Sequence, residues 1–234
     1  MNNPTQLIFP FQVDQRASFS NFFCTRKNSD FLNRLKQTVS SENCYEILID
    51  GIEGSGKSFL MQSICNELSA DNKQFAYVPM SKAIKMDVEI LQNLASLDVV
   101  CIDDLQLVTS QTEWETAIFH LINECQQARC SLIFSVSSNF SIDELVTLPD
   151  LLSRFKRMEH MKLKTVGDED LREALIFVSQ SLDINLELAE LDFLLKHHER
   201  EFSGLVKNII LLDQRAGELK RKITIPLIKE TLSL

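Results

Sequence analysis

Apolar residues follow two rhythms along this chain. Short, nearly continuous apolar runs at residues 45–50, 74–80, 98–103 and 131–135 have the length and β-rich composition of strands buried on both faces. The segments between them, 58–68, 88–97 and 112–126, carry apolar positions at helical spacing. In the last of these Trp114, Ile118, Leu121 and Ile122 recur at i, i+4, i+7 and i+8, which gathers them on one helix face. Strands alternating with helical crossovers predict an α/β domain with a parallel sheet and flanking helices, completed by a short fifth strand near residues 158–163.

Beyond residue 163 the strand rhythm stops. Thr165, followed three residues later by Asp168, has the form of a capping box with Asp in place of Glu, ahead of an apolar stripe at Leu171, Ala174, Leu175 and Val178. Further helices are expected at 187–197, 201–218 and 226–232, where Pro226 suits a first turn. The expected organisation is an N-terminal segment (1–16), an α/β domain (17–164) and a small all-helical lid (165–234). No internal repeat or low-complexity linker separates them, so close packing is expected.

Composition narrows the partners. The net charge is −9, and residues 1–150 hold 10 Lys+Arg against 19 Asp+Glu while residues 151–234 hold 14 of each. That balance gives little support for a basic face on duplex DNA. The longest apolar runs, such as 99–102, fall far short of the roughly 20 residues of a membrane helix, and residues 1–6 lack a secretory pattern, so a cytoplasmic protein is expected. Six cysteines without a C-x-x-C pair read as buried reduced thiols. The histidines, His120, His160, His197 and His198, lack metal-binding spacing. Lys220-Arg221-Lys222 reads as a helix C-terminus favoured by the helix dipole.

The chemistry concentrates after the first strand. Gly51-Ile52-Glu53-Gly54-Ser55-Gly56-Lys57-Ser58 matches G-x-x-x-x-G-K-[ST] between a predicted strand and helix. Glycines let successive backbone N–H groups turn inward around a phosphate at a helix N-terminus. Lys57 adds a point charge for the β- and γ-phosphates, and the Ser58 hydroxyl can enter a Mg²⁺ shell. The apolar run at 99–102 ends in Asp103-Asp104, where Asp103 is the candidate for the metal shell and Asp104 for orienting water. Two acids ending a strand are common in ordinary loops; the phosphate loop upstream is what gives this pair weight.

Together these residues identify a P-loop nucleotide-binding protein, and the chain as a whole resembles the AAA+ type. Gln6-Leu7-Ile8-Phe9-Pro10-Phe11, Leu148-Pro149-Asp150-Leu151-Leu152-Ser153-Arg154-Phe155 and Ile223-Thr224-Ile225-Pro226 resemble the Hda family, the DnaA-related AAA+ proteins that inactivate DnaA. The resemblance spans nearly the whole chain, and implies the absence of the helix-turn-helix domain that initiators carry. It implies that Gln6, Leu7, Phe9 and Phe11 bind the DNA polymerase sliding clamp, an extended segment placing apolar side chains in pockets while the Gln6 amide bonds at the rim. Without the resemblance, the same residues read as an arm packed on its own core. Arg154 corresponds to the family's arginine finger, acting in trans on ATP held by DnaA; by itself it reads as a surface salt-bridge residue.

ADP or ATP with Mg²⁺ is the implied cofactor set, ADP being the form in which the family acts. DNA would be approached mainly through the clamp, no membrane is involved, and a homo-oligomer is allowed. Two departures from related initiators, Asn208 beside Lys207 where a sensing Arg is expected and Ser137 and Ser138 where an acidic sensor is expected, argue for a weak ATPase that activates hydrolysis by DnaA. Phe19 and Phe22 are candidates for the adenine pocket, with plain packing as the alternative. The competing functions are a stand-alone P-loop ATPase or phosphotransferase, which Lys57, Ser58, Asp103 and Asp104 permit, and an initiator-like or helicase-loader-like ATPase on single-stranded DNA.

Overall fold

The computed structural model describes residues 11–139, 141–198 and 200–233. Among these, β1 (Glu46–Gly51), β2 (Phe75–Pro79), β3 (Val99–Asp103), β4 (Ser131–Ser137) and β5 (Glu159–Lys162) form one parallel sheet in the order β2-β3-β4-β1-β5. Both faces are covered, which is why the strands read as continuous apolar runs. Successive side chains alternate between two cores: Leu48, Val100, Ile102, Leu132 and Phe134 pack on one face, and Ile47, Ile49, Cys101 and Ile133 on the other.

The flanking helices are α1 (Ser29–Val39), α2 (Lys57–Ala70), α3 (Met80–Ala83), α4 (Thr112–Ala128), α5 (Ile142–Leu145) and α6 (Pro149–Phe155). Leu32 and Leu35 of α1 join Leu60 and Ile64 of α2 over one sheet face. On the other face, the predicted α4 stripe of Trp114, Ile118, Leu121 and Ile122 packs beside Phe155 of α6, whose ring meets Phe134 edge-on at 5.2 Å. The lid consists of α7 (Leu171–Ser181), α8 (Leu188–His197), α9 (Phe202–Leu219) and α10 (Ile225–Leu232), around a separate core that includes Leu175, Leu194, Leu205, Ile209 and Ile228. Buried Asn28 ties the connection between sheet and lid. Its amide donates to the Lys164 carbonyl at 2.7 Å and accepts the Lys164 N–H at 3.0 Å.

Three expectations are corrected. Residues 88–97 form two 3₁₀ turns, Val88–Leu91 and Leu94–Ser96, because Asn93 at φ 64° takes a left-handed conformation between them. The helix expected to start at a Thr165–Asp168 capping box begins at Leu171, after a turn in which the Asp170 N–H bonds the Gly167 carbonyl. Cysteine burial is mixed: Cys65, Cys101, Cys125 and Cys130 are buried, whereas Cys24 and Cys44 are exposed, and all six are free. Among the described residues no helix is long and apolar enough to cross a membrane.

One buried carboxylate joins α4 to α6. Glu115, 1% exposed, accepts the Ser110 and Thr147 N–H groups at 2.8 and 3.0 Å, the Thr147 hydroxyl at 2.8 Å and the Leu148 N–H at 2.7 Å. Leu148 is the N-cap position of α6, so this carboxylate serves as the cap that α6 lacks in its own sequence. Burial alone would raise the Glu115 pKa, but these backbone and hydroxyl donors together hold it below the usual glutamate value. Its stabilisation is therefore complete above the unfolded glutamate pKa of about 4.3 and is lost as pH falls through the lower folded value. Glu115→Ala should cost about 2–3 kcal/mol in urea unfolding at pH 7, since it leaves buried donors unpaired, and the difference from wild type should shrink in acid. An unchanged midpoint at pH 7 would contradict this role.

Candidate functional site

Strand β1 ends at Gly51 and α2 begins at Lys57, so the loop between them turns at the carboxyl edge of the sheet, where ligands of parallel α/β proteins bind. Gly54 and Gly56 have φ of +76° and +96°, conformations that side chains rarely adopt. A Cβ at Gly56 would sit 3.0 Å from the Phe22 ring, and one at Gly54 would collide with the Glu201 carboxylate and stand 2.9 Å from Ser203 Oγ. The loop is thus bracketed by Phe22 on one side and the start of α9 on the other.

These walls enclose a cleft of about 670 Å³. Glu53, Gly54, Ser55, Gly56, Lys57 and Ser58 line its floor; Gly51 supports it from the strand end, and Ile52 faces outward at 46% exposure. Lys57, 6% exposed, donates from Nζ to the carbonyls of Gly51 at 2.6 Å and Ile52 at 3.0 Å. Burial lowers its pKa against the opposing pull of Asp104, Asp103, Asp50 and Glu53. Apolar lining comes from Phe22 and Phe23 and, in the lid, from Val178, Phe202 and Ile210.

Asp103 and Asp104 part company at the end of β3. Asp103 is 1% exposed; its carboxylate accepts from Tyr77 Oη at 2.8 Å and from the Ser135 hydroxyl, and it does not line the cleft. Asp104, at φ 60°, turns the chain so that its own side chain does. Burial, and then the charge of Asp103, raises the Asp104 pKa, with Gln106 and Lys57 working against the rise. Two crowded acids of this kind are relieved by a cation. Because β4 lies between β1 and β3, Ser137 is beside Gly51 in register and also lines the cleft, while the Ser138 hydroxyl bonds Asp50.

Residues 13–158 match the family model of the bacterial DnaA ATPase domain, and residues 168–232 match that of the Hda lid domain. This chain belongs to the Hda/DnaA-related AAA+ family. Domain III of the replication initiation protein DnaA from Thermotoga maritima superposes with a TM-score of 0.78 at 20% identity, covering 95% of this chain and 98% of that one. AMPPCP-bound DnaA from Aquifex aeolicus gives 0.66 at 19% identity over 89% and 68%, and the Holliday junction branch migration motor RuvB of Thermotoga maritima gives 0.64 at 17% identity over 94% and 72%. At these identities the structural likeness speaks for the fold alone.

Family membership places this AAA+ protein among DnaA-related replication regulators and implies an adenine nucleotide with Mg²⁺ as the ligand of the cleft. The residues present fit that group. The Ser55 hydroxyl is buried on the cleft floor without a hydrogen-bond partner among the described residues, the glycine conformations turn the loop backbone around a small space, and the acidic pair invites a cation. Lys57, Ser58 and the loop backbone would hold the phosphates. Asp103, expected in the metal shell, is instead bonded to Tyr77 and Ser135 and does not line the cleft, so Asp104, expected to orient water, is the carboxylate that would face the metal.

Other expected residues fall elsewhere. Phe11 is packed in the core at 9% exposure with Leu48, Leu91 and Trp114, so it does not project as the last anchor of a clamp peptide; Gln6, Leu7 and Phe9 lie outside the described residues. Phe22 lines the cleft, but Phe19 is buried beneath it in the sheet core. On α9 the cleft face is Ser203, Val206, Lys207 and Ile210, which helical spacing puts together and which excludes Asn208. Arg154 does not line this cleft either. Sequence reasoning passed over Gln106, whose amide donates to Asp104 at 3.1 Å while its carbonyl accepts the Ser137 N–H at 3.1 Å, and over Glu201, which caps α9 above Gly54. Gln106 carries no local motif, and Glu is not among the residues favoured as an N-cap.

Gly54→Ala should weaken ADP binding about tenfold or more, because it combines left-handed strain with displacement of Glu201 from the loop. Titration with a fluorescent ADP analogue measures this. Wild-type affinity in the variant would mean that the lid does not close on the loop in this way.

Proposed function

We propose that this chain is a regulator of replication initiation that carries its own nucleotide and stimulates hydrolysis of ATP bound to DnaA. The observation that carries the reading is the position of Arg154, a conformationally supported guanidinium on α6 that lies outside the chain's own cleft. An arginine so placed can stabilise developing phosphate charge only in another subunit's site. No ion pair involving Arg154 is formed among the described residues, so its charge is not cancelled within the chain.

The resident nucleotide in this reading is ADP, serving to hold lid and sheet in one arrangement. Ser137 stands where an acidic sensor is expected, which supports weak hydrolysis in the chain's own site. Gln6, Leu7 and Phe9 would dock on the sliding clamp as an extended segment, bringing the protein to DNA through the clamp. A stand-alone ATPase is the second reading, favoured by Asp104 lining the same cleft as Lys57 and Ser58.

Phosphate release from ATP-loaded DnaA, in the presence of clamp on DNA, separates them. Wild-type protein should raise the rate well above that of either protein alone, and Arg154→Ala should lose this stimulation by roughly 10³-fold while keeping its affinity for ADP. Full stimulation by the variant would contradict the mechanism, and rapid turnover without any partner would favour the stand-alone enzyme. Gln6→Ala combined with Leu7→Ala should abolish retention on immobilised clamp and leave ADP affinity unchanged; equal retention would remove the clamp from the account.

A further inference from the structure

Arg154 has a long side chain on a seven-residue helix, and an arginine that must reach into a foreign site needs a defined direction. Its Nη1 donates to Gln126 Oε1 at 3.2 Å, and Gln126 Nε2 donates in turn to Glu46 Oε1 at 2.8 Å. The three residues come from α6, the last turn of α4 and the first residue of β1. The guanidinium carbon also stands 6.0 Å from the centroid of the Phe119 ring, two turns earlier on α4.

This chain of bonds has a fixed polarity. A carboxylate only accepts and a guanidinium only donates, so the Gln126 amide must turn its NH₂ to Glu46 and its carbonyl to Arg154. Swapping the amide would set NH₂ against guanidinium and carbonyl against carboxylate. Glu46 therefore orients Gln126, and Gln126 orients Arg154. The intermediate being neutral matters as well: a carboxylate in direct contact would grip the guanidinium by a charge-assisted pair and oppose its transfer to a phosphate. The amide uses one N–H and leaves the positive charge intact.

We infer that Gln126, itself oriented by Glu46, is a positioning residue for Arg154 and sets the direction in which the guanidinium is presented to a partner's nucleotide. The inference rests on the trans-acting reading of Arg154. Together with Glu115 at the N-terminal end of α6, it makes α4 the frame against which the arginine is aligned at both ends.

The test follows phosphate release from ATP-loaded DnaA with clamp on DNA as this protein is titrated, so that the maximal rate and the half-saturating concentration are read separately. Gln126→Ala should lower the maximal rate about tenfold with the half-saturating concentration unchanged, and Glu46→Ala should lower it in the same direction by less. In an Arg154→Ala background, Gln126→Ala should add no further loss, because a residue acting through Arg154 has nothing left to position. Gln126 is exposed, so folding is expected to survive, and Glu46→Ala supplies the same readout should Gln126→Ala unfold. An undiminished maximal rate in Gln126→Ala, beside a lost one in Arg154→Ala, overturns the positioning role alone. A raised half-saturating concentration with the maximum kept also overturns it, since Gln126 would then be a docking contact. Full activity of Arg154→Ala overturns the trans-acting reading on which the inference rests.

Discussion

A phosphate group held by backbone N–H donors needs a loop whose conformation only glycine takes without strain, and the positions of everything else in this chain follow from that loop. Gly54 and Gly56 occupy left-handed conformations, and Lys57 is anchored by two carbonyls of the same loop although burial opposes its charge. Such a loop holds its shape only when both ends are fixed. Strand β1 supplies one fixed end, paired on either side by β4 and β5, and α2 supplies the other by packing Leu60 and Ile64 into the sheet. The lid then reaches the loop through Glu201 and Ser203, so a ligand on the cleft floor touches sheet and lid together.

The same architecture divides two tasks. The cleft gathers Lys57, Ser58, Asp104 and the apolar wall of Phe22 and Phe202, while Arg154 is mounted outside it on a helix joined to α4 by Glu115 and Gln126. The place where the chain would keep a nucleotide and the group it would lend to another site are thus carried by different elements. That arrangement suits a protein whose own nucleotide sets its posture and whose chemistry takes place elsewhere.

What could be read in the sequence was local or periodic. The strands were legible because burial on both faces leaves unbroken apolar runs, and α4 because Trp114, Ile118, Leu121 and Ile122 share one face. The phosphate loop was legible because its residues are adjacent in the chain. What was hidden depended on contacts across the fold. The helix expected at 88–97 gives way to the left-handed Asn93, and of the two readings of Phe11, clamp anchor or packed arm, only its contact with the core across the fold decides. Asp103 and Asp104 are neighbours in sequence, yet one bonds Tyr77 and Ser135 while the other turns into the cleft. Gln106 and Gln126 act through hydrogen bonds to residues distant in sequence, Ser137, Glu46 and Arg154, which no spacing rule announces, and Glu201 is an uncommon N-cap residue.

The account stands or falls on the cleft holding an adenine nucleotide between sheet and lid. Calorimetric titration of nucleotide-stripped protein with ADP in the presence of Mg²⁺ tests this most directly, read alongside the thermal midpoint. One equivalent bound per chain, with a midpoint that climbs as ligand exceeds Kd, is the predicted result. Absence of both binding heat and any change in the midpoint, at every magnesium concentration tried, would contradict it.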